Sequence, residues 1–281
     1  MSIASFRAPI RRGYADTPWG QVHYRTCGAG RPLVLLHQTA SSSAMYEALM
    51  PLLPGRVLAL DTPGFGQSFA PEEPLTIPFC AKVLRAALQE LGVTECDLFG
   101  HHTGAAIAVE MAHSAPGFVG RLILSGPPLL SPEQKAMLKA GLKPFVIDEA
   151  GAHLTAVWER LRRRDPALPL EIVHRETLLT LTAGARALET YEAVFAQDFA
   201  GQLAALEIPV LVMAGEHDSL RASLEPAYAL LRHGQRRVIP GGTTYVCDRQ
   251  PQAVAEIIRE FLAMAEAYQG RGDGTWQLHD S

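Results

Sequence analysis

A short segment in the first half of the chain, Gly100-His101-His102-Thr103-Gly104, most constrains what this sequence can fold into. It lies between an apolar run that ends at Phe99 and a stretch with helical periodicity, so it predicts a strand that turns sharply into a helix. Glycines at both ends of such a turn let the strand and the helix approach closely. The central residue of this predicted turn is His102.

Short apolar runs alternate along the chain with stretches of helical periodicity. We expect buried parallel strands near residues 33–36, 57–60, 97–99, 122–124 and 210–213, with a weaker candidate at 237–239. We expect helices near residues 44–53, 77–91, 104–113, 225–231 and 253–267, and an antiparallel opening pair within 14–24. This alternation is typical of an α/β fold with a mostly parallel sheet that carries helices on both faces.

Residues 131–206 break this alternation, because they show helical periodicity without a convincing strand. We expect them to form a helical insertion in a core made of residues 1–130 and 207–281. Open α/β sheets bind ligands at the carboxyl ends of their strands. An insertion that leaves the sheet at that end would lie over the ligand, so we interpret residues 131–206 as a lid.

The composition argues against several classes of partner and location. The chain has 281 residues, of which 48% are hydrophobic and 19% are charged, as in a globular protein. Its net charge of -4 gives no reason to expect nucleic acid or an anionic membrane as a partner, and the basic run at 160–164 is interpreted as a solvated helix face. We find no signal-peptide pattern, no apolar stretch long enough to span a membrane and no disulfide-like cysteine spacing, so we expect a cytoplasmic protein with reduced thiols.

Several segments resemble motifs of the α/β-hydrolase superfamily, over roughly residues 14–267. The turn centred on His102 has the frame of the G-x-S-x-G nucleophile elbow. Residues 35–39 resemble the H-G-x turn that helps to form an oxyanion hole, although Gln38 replaces the usual glycine. Residues 61–68 closely resemble the D-x-P-G-x-G-x-S loop. The resemblance implies the α/β-hydrolase fold with a helical lid.

Two further segments resemble the places of the other triad members. Residues 214–218 resemble the turn that presents the acid, and residues 239–244 resemble the I-P-G-x-G-H turn that presents the catalytic histidine. Carried over in the family order, the triad positions are His102, Asp218 and Thr244. The acid is kept and the other two members are replaced. Because threonine has no proton-accepting state near neutral pH, ordinary serine-hydrolase chemistry is not expected.

An imidazole ring is gained at position 102 and lost at position 244, while Asp218 is retained. We hypothesise that the ring of His102 fills the vacated space and pairs with Asp218 as a relocated dyad. The carboxylate would orient the ring and stabilise its protonated form, the role that an aspartate plays in the usual triad. The backbone N–H groups of Thr103 and Thr39 would bind a developing oxyanion. Thr244 is a candidate to donate a hydrogen bond to substrate or water.

Two mechanisms would use such a dyad. His102 would act as a general base on water, a hydroxyl or a carbon acid, or it would attack a carbonyl and form an acyl-imidazole. The first is favoured because a base needs only to lie within hydrogen-bond distance of the proton that it removes, whereas a nucleophile must approach the carbonyl carbon along a strict line of attack. No cofactor or metal is expected, because His37, His101, His102 and His217 lack the tight spacing of H-E-x-x-H ligands. His37 and His101 are interpreted as structural residues.

We expect a cofactor-independent enzyme that acts on a small, fairly hydrophobic carbonyl compound such as an ester, a lactone or an activated ketone. One alternative is an inactive ligand-binding protein that keeps the pocket and has lost the triad, and another is a lyase with His102 as its base. Aromatic candidates to line the pocket from the lid are Trp158, Tyr191 and Phe195. His153 and His174 are lid histidines that either supply a second acid or base or face solvent. Gln38 either closes the oxyanion hole or donates into it.

Overall fold

A single sheet of eight strands forms the centre of the molecule. The computed structural model describes residues 9–143 and 146–269. The strands are β1 (Arg11–Thr17), β2 (Gly20–Gly28), β3 (Pro32–Leu36), β4 (Arg56–Leu60), β5 (Cys96–His101), β6 (Val119–Ser125), β7 (Val210–Gly215) and β8 (Gly234–Ile239). Their order is β1-β2-β4-β3-β5-β6-β7-β8. The pairs β1–β2 and β2–β4 are antiparallel and all other neighbours are parallel, which confirms the mostly parallel sheet and its antiparallel opening pair.

Helices pack on both faces of the sheet. The helices are α1 (Ile77–Glu90), α2 (Thr103–Ser114), α3 (Pro132–Gly141), α4 (Ala152–Arg164), α5 (Leu170–Ala183), α6 (Arg186–Ala196), α7 (Phe199–Ala204), α8 (Leu224–Ala229), α9 (Val246–Arg249) and α10 (Pro251–Gln269). Successive residues of a strand point to opposite faces, so Val34 and Leu36 of β3 enter the core beneath α1 and α2. Leu33 and Leu35 enter the second core, beneath α10. Each fully buried leucine contributes about 1.5–3 kcal/mol of transfer free energy to the fold.

The predicted helix at residues 44–53 is wrong. Two short 3₁₀ helices, Ser43–Tyr46 and Met50–Leu52, lie there instead. Pro51 is the physical reason, because proline has no backbone N–H and its ring clashes with the carbonyl one turn earlier in an α-helix.

Five helices, α3 to α7, lie between β6 and β7, within the span predicted for the insertion. Among the described residues of that span, none belongs to a strand. The first helix begins at a capping box, in which the Ser131 side chain accepts from Gln134 N and the Gln134 side chain accepts from Ser131 N. None of the described helices is long and apolar enough to cross a lipid bilayer.

Candidate active site

His102 lies in the turn that joins β5 to α2, with φ 51° and ψ −111°. It is the only residue other than glycine with a positive φ in the described part of the chain. The flanking glycines are required, because a Cβ on Gly100 would lie 2.4 Å from the carbonyl oxygen of Gly104, and one on Gly104 would lie 2.0 Å from the carbonyl oxygen of Leu36. Such backbone costs about 1–3 kcal/mol and is concentrated at functional sites. The strained elbow is therefore kept although its central residue is a histidine.

The imidazole of His102 contacts the carboxylate of Asp218, which follows β7. Nε2 of His102 lies 2.9 Å from Oδ1 and 2.9 Å from Oδ2 of Asp218. The Asp218 side chain is 0% exposed and that of His102 is 13% exposed, so the pair is shielded but still reachable from one side. Burial by itself raises the pKa of Asp218, but the nearby charge of His102 and its hydrogen bond hold this pKa well below its usual range. Leu220 N also donates to Oδ1, at 2.7 Å.

Gly126 makes room for this contact. Because β6 lies between β5 and β7 in the sheet, the ring of His102 must cross the carboxyl end of β6 to reach Asp218. Gly126 immediately follows β6, and a Cβ there would lie 2.4 Å from Cδ2 and 2.6 Å from Nε2 of His102. Sequence reasoning missed this residue. The available signal was a glycine directly after the strand that neighbours the elbow.

His101 lies against His102 but serves a different purpose. Its ring is fully buried, and the two ring centroids are 4.4 Å apart. Its Nε2 lies 2.8 Å from the carbonyl oxygen of Thr244, and its Nδ1 lies 2.9 Å from Oγ of Ser125. A carbonyl only accepts, so Nε2 carries the proton and Nδ1 accepts from Ser125. Burial, reinforced by the repulsion from His102, lowers the pKa of His101 to about 3, so this ring is neutral and joins the elbow to the turn of Thr244.

Potential metal ligands are present in the same place. One nitrogen or oxygen atom from each of His101, His102 and Asp218 lies within 4.8 Å of the others. Both ring nitrogens of His101 are already engaged in hydrogen bonds, and Nε2 has no lone pair for a metal while it donates to Thr244. The geometry therefore favours a hydrogen-bonded dyad over a metal centre.

Thr244 is buried beside the turn of Asp218. Its carbonyl oxygen accepts from His101, and its Oγ1 lies 3.5 Å from Oγ of Ser219, at the outer limit of a hydrogen bond. The hydroxyl thus faces the turn that carries the acid.

The predicted oxyanion turn is tightly hydrogen-bonded. The carbonyl oxygen of Gln38 accepts from His37 Nδ1 at 2.8 Å and from Ser41 N at 2.9 Å. His37 Nε2 accepts from Thr62 N at 2.9 Å, and burial lowers the pKa of His37, which keeps the ring neutral. Thr39 lies inside this closed turn. His37 thus has a structural role that ties the turn to the loop after β4.

Thr103 is the first residue of α2 and is buried. The first N–H groups of an α-helix have no acceptor within the helix and carry the positive end of its dipole. The Thr103 N–H therefore belongs to a set of donors that suits a developing negative charge.

Two aromatic side chains of the insertion lie in different surroundings. Tyr191 OH donates to the carbonyl oxygen of Thr39 at 3.3 Å, so α6 contacts the turn of Thr39 directly. Trp158 packs against a small apolar cluster that includes Tyr245 and also borders a surface hollow beside Arg162. Its predicted role in substrate binding remains a prediction.

The two histidines of the insertion, His153 and His174, also differ. Nδ1 of His153 accepts from Asp148 N at 3.3 Å at the start of α4. His174 is exposed on α5. The contacts of His153 with Asp148 lie within the insertion and do not involve His102 or Asp218.

The comparisons with known proteins define the family. The sequence model of the α/β hydrolase fold family matches residues 31–243, and the chain belongs to this family. It is 24% identical over 264 residues to a putative non-heme chloroperoxidase of Synechocystis sp., covering 86% of this chain and 94% of that protein. It is 28% identical over 226 residues to a haloalkane dehalogenase of Mycobacterium marinum, covering 77% of this chain and 69% of that protein. Among solved structures it is similar to an epoxide hydrolase, with a TM-score of 0.74 at 21% identity over 91% of this chain and 99% of that one.

Proposed function

We propose that the chain is a cofactor-independent enzyme that hydrolyses a small, fairly hydrophobic carbonyl compound such as an ester, a lactone or an activated ketone. The observation that carries the proposal is the 2.9 Å contact between Nε2 of His102 and the carboxylate of Asp218. Membership of the α/β hydrolase family supports hydrolysis over elimination as the reaction. The four cysteines are free and buried, which fits a cytoplasmic location.

The proposed mechanism uses the opposite ring nitrogen from the usual triad. Nε2–H donates a hydrogen bond to the Asp218 carboxylate, which leaves the lone pair of Nδ1 to act as the base. Nδ1 removes a proton from water as the water oxygen attacks the carbonyl carbon, and Asp218 stabilises the imidazolium that forms. The carbonyl oxygen becomes an oxyanion that Thr103 N–H and Thr39 N–H bind. When the intermediate collapses, the leaving group takes the proton from Nδ1 and the dyad is restored; this group is an oxygen in an ester or a lactone and a stabilised carbanion in an activated ketone.

The same nitrogen supports a second mechanism. Nδ1 would attack the carbonyl carbon and form an acyl-imidazole, which water then hydrolyses. Acid quenching during turnover of p-nitrophenyl butyrate, followed at once by mass spectrometry of the intact protein, tests for this intermediate. A butyryl adduct that is present in the wild type and absent in His102→Gln indicates a nucleophile.

The main rival is a ligand-binding protein that has lost catalysis. The pairing of His102 with Asp218 favours the enzyme, because simple decay of a triad would favour small inert residues, whereas position 102 carries an imidazole that contacts the retained carboxylate. A lyase with the same base differs only in whether water enters, and a substrate that releases product without uptake of oxygen from labelled water would favour it.

The test is turnover of a panel of p-nitrophenyl esters and small lactones by His102→Gln and Asp218→Asn. We expect both variants to lose about 10²- to 10⁴-fold in kcat, the usual contribution of a positioned general base. His217→Gln is the matched control, because His217 is an exposed histidine next to Asp218 and should leave kcat unchanged. Wild-type turnover by His102→Gln would contradict the proposal. Tight binding of panel compounds without turnover by the wild type would instead favour the binding protein.

A further inference from the structure

The turn of Thr39 is held by the insertion as well as by the core. Ser41, which closes this turn, is fully buried, and its Oγ donates to Oε1 of Glu176 on α5 at 3.0 Å. Glu176 is itself buried, so its carboxylate makes a fixed contact on the oxyanion turn. Tyr191 of α6 contacts the same turn at the carbonyl oxygen of Thr39. Two helices of the insertion therefore contact this one turn.

The carboxylate of Glu176 is held by the charged side chain of Arg175, which is itself held by Asp248. Arg175 Nε donates to Oε1 of Glu176 at 2.8 Å. The same guanidinium forms two parallel hydrogen bonds of 2.8 Å with Asp248 on α9, the geometry in which an arginine is held most rigidly. Because α9 begins two residues after Thr244, the series Ser41–Glu176–Arg175–Asp248 joins the two turns that border the dyad.

The geometry of the turn makes its orientation depend on Ser41. The carbonyl oxygen of Gln38 accepts from Ser41 N and from His37 Nδ1, and the N–H of Thr39 belongs to the same peptide unit as this carbonyl. If Glu176 is removed, the buried hydroxyl of Ser41 is left unpaired, and if that hydroxyl is removed, the backbone of Ser41 is no longer held from α5. An oxyanion donor works only when it is fixed in advance at hydrogen-bond distance from the place where the charge develops.

We propose that Glu176 is a positioning residue, which fixes the direction of the Thr39 N–H through Ser41. The insertion thus completes the oxyanion site from outside the core, and the substrate would meet that site only with α5 in place. This inference rests on the proposed function, since it assigns the Thr39 N–H to the same carbonyl chemistry.

The test measures the Thr39 amide directly, by NMR of the full-length protein, in Ser41→Ala, Glu176→Ala and Glu176→Gln. We expect the Thr39 amide signal to move, and its hydrogen exchange to speed up, in Ser41→Ala and Glu176→Ala. Glu176→Gln keeps an oxygen that can accept from Ser41, so its Thr39 signal should stay much closer to wild type. Glu171→Ala is the control, because Glu171 is an exposed glutamate on the first turn of the same helix. An unmoved Thr39 signal in both Ser41→Ala and Glu176→Ala overturns the proposal.

Kinetics provide the second readout, with p-nitrophenyl butyrate as the probe. Loss of a fixed oxyanion donor should lower kcat of Ser41→Ala about tenfold or more, with KM within about twofold. A change confined to the melting temperature, with kcat intact, would mean that the contact is only structural. If His102→Gln retains wild-type turnover, the proposed function fails, but the Thr39 amide still decides the role of Glu176.

Discussion

At the scale of single residues, the identity of position 102 determines what its neighbours must be. A ring that leaves β5 and crosses the end of β6 needs a residue without a side chain at position 126 and an acceptor beyond it. Gly126 and Asp218 meet these two needs, and His101 holds the adjoining turn through Thr244. The contact between His102 and Asp218 therefore depends on position 126 as well, and we expect a side chain at that position to disturb it.

Gly126→Ala tests this dependence. The new methyl group would overlap the His102 ring, so we expect the ring to leave Asp218 and kcat to fall at least tenfold. The free energy of unfolding should fall by about 1–3 kcal/mol, as in other overpacked sites. Gly92→Ala is the matched control, because Gly92 also has a positive φ but a Cβ added there would have no other atom within 4 Å. If the two variants lose equal activity, backbone strain rather than the overlap explains the effect.

The buried ring of His101 leads to a second prediction, which concerns how the free energy of unfolding depends on pH. Its pKa is about 3 in the folded protein and about 6.5 in an unfolded chain, so the folded state favours the neutral ring. A depressed pKa contributes stability above pH of about 6.5, and this contribution is lost as pH falls toward about 3. Urea unfolding at several pH values should show a steeper loss in the wild type than in His101→Gln, by up to about 1.4 kcal/mol per pH unit. Parallel slopes for the two proteins would mean that the fold does not lower the pKa of His101.

The sequence predicted the partners of the dyad but not its surroundings. His102 and Asp218 follow from motifs of fixed spacing and from the paired gain and loss of a ring. The contact of His101 with Thr244 spans 143 positions of the chain and depends on which strand ends lie side by side. The need for Gly126 likewise depends on strand order, which one sequence does not define.

At the scale of secondary-structure elements, strands were easier to predict than short helices. The buried strands carry continuous apolar runs, and even the weaker candidate at 237–239 lies in β8. The segment 44–53 has helical periodicity, but one proline outweighs that pattern over so short a length. Within the insertion, periodicity indicated helices correctly, but it could not show that Glu176 contacts Ser41 and that Tyr191 contacts Thr39.

At the scale of the whole molecule, partly buried ion pairs, in which the carboxylates are more deeply buried than the arginines, join the insertion to the core. Arg175 of α5 bonds to Asp248, and Asp165, just after α4, accepts from Arg249 at 3.0 Å and from Thr243 at 3.0 Å. Breaking a buried pair by removing one partner leaves the other charge uncompensated, which is more costly than the pair is worth. Loss of one of these arginines should therefore lower the free energy of unfolding.

Arg175→Met should lower the free energy of unfolding by about 2–4 kcal/mol, because it leaves two buried carboxylates without their cation. Burial already raises the pKa of Glu176 and of Asp248, and Arg175 opposes this in both. When the pKa of a carboxyl is raised in the folded state, the free energy of unfolding falls as pH rises. The variant should therefore be destabilised more at pH 8 than at pH 5. Arg163→Met is the control, since its pair with Glu159 is exposed and should be worth less than about 0.5 kcal/mol. If chemical denaturation shows equal losses in the free energy of unfolding of both variants, the ion pairs of Arg175 are worth no more than an exposed pair.

Asp218 offers both of its oxygens to one ring nitrogen, so the site holds a single imidazole at a time. Positions 102 and 244 are consequently not free to change one by one. A chain with Thr244→His alone would have two rings competing for one carboxylate, and a chain with His102→Ser alone would have a hydroxyl without a base. Only the joint replacement reaches the conventional triad, so we expect each single replacement to be less active than either complete arrangement.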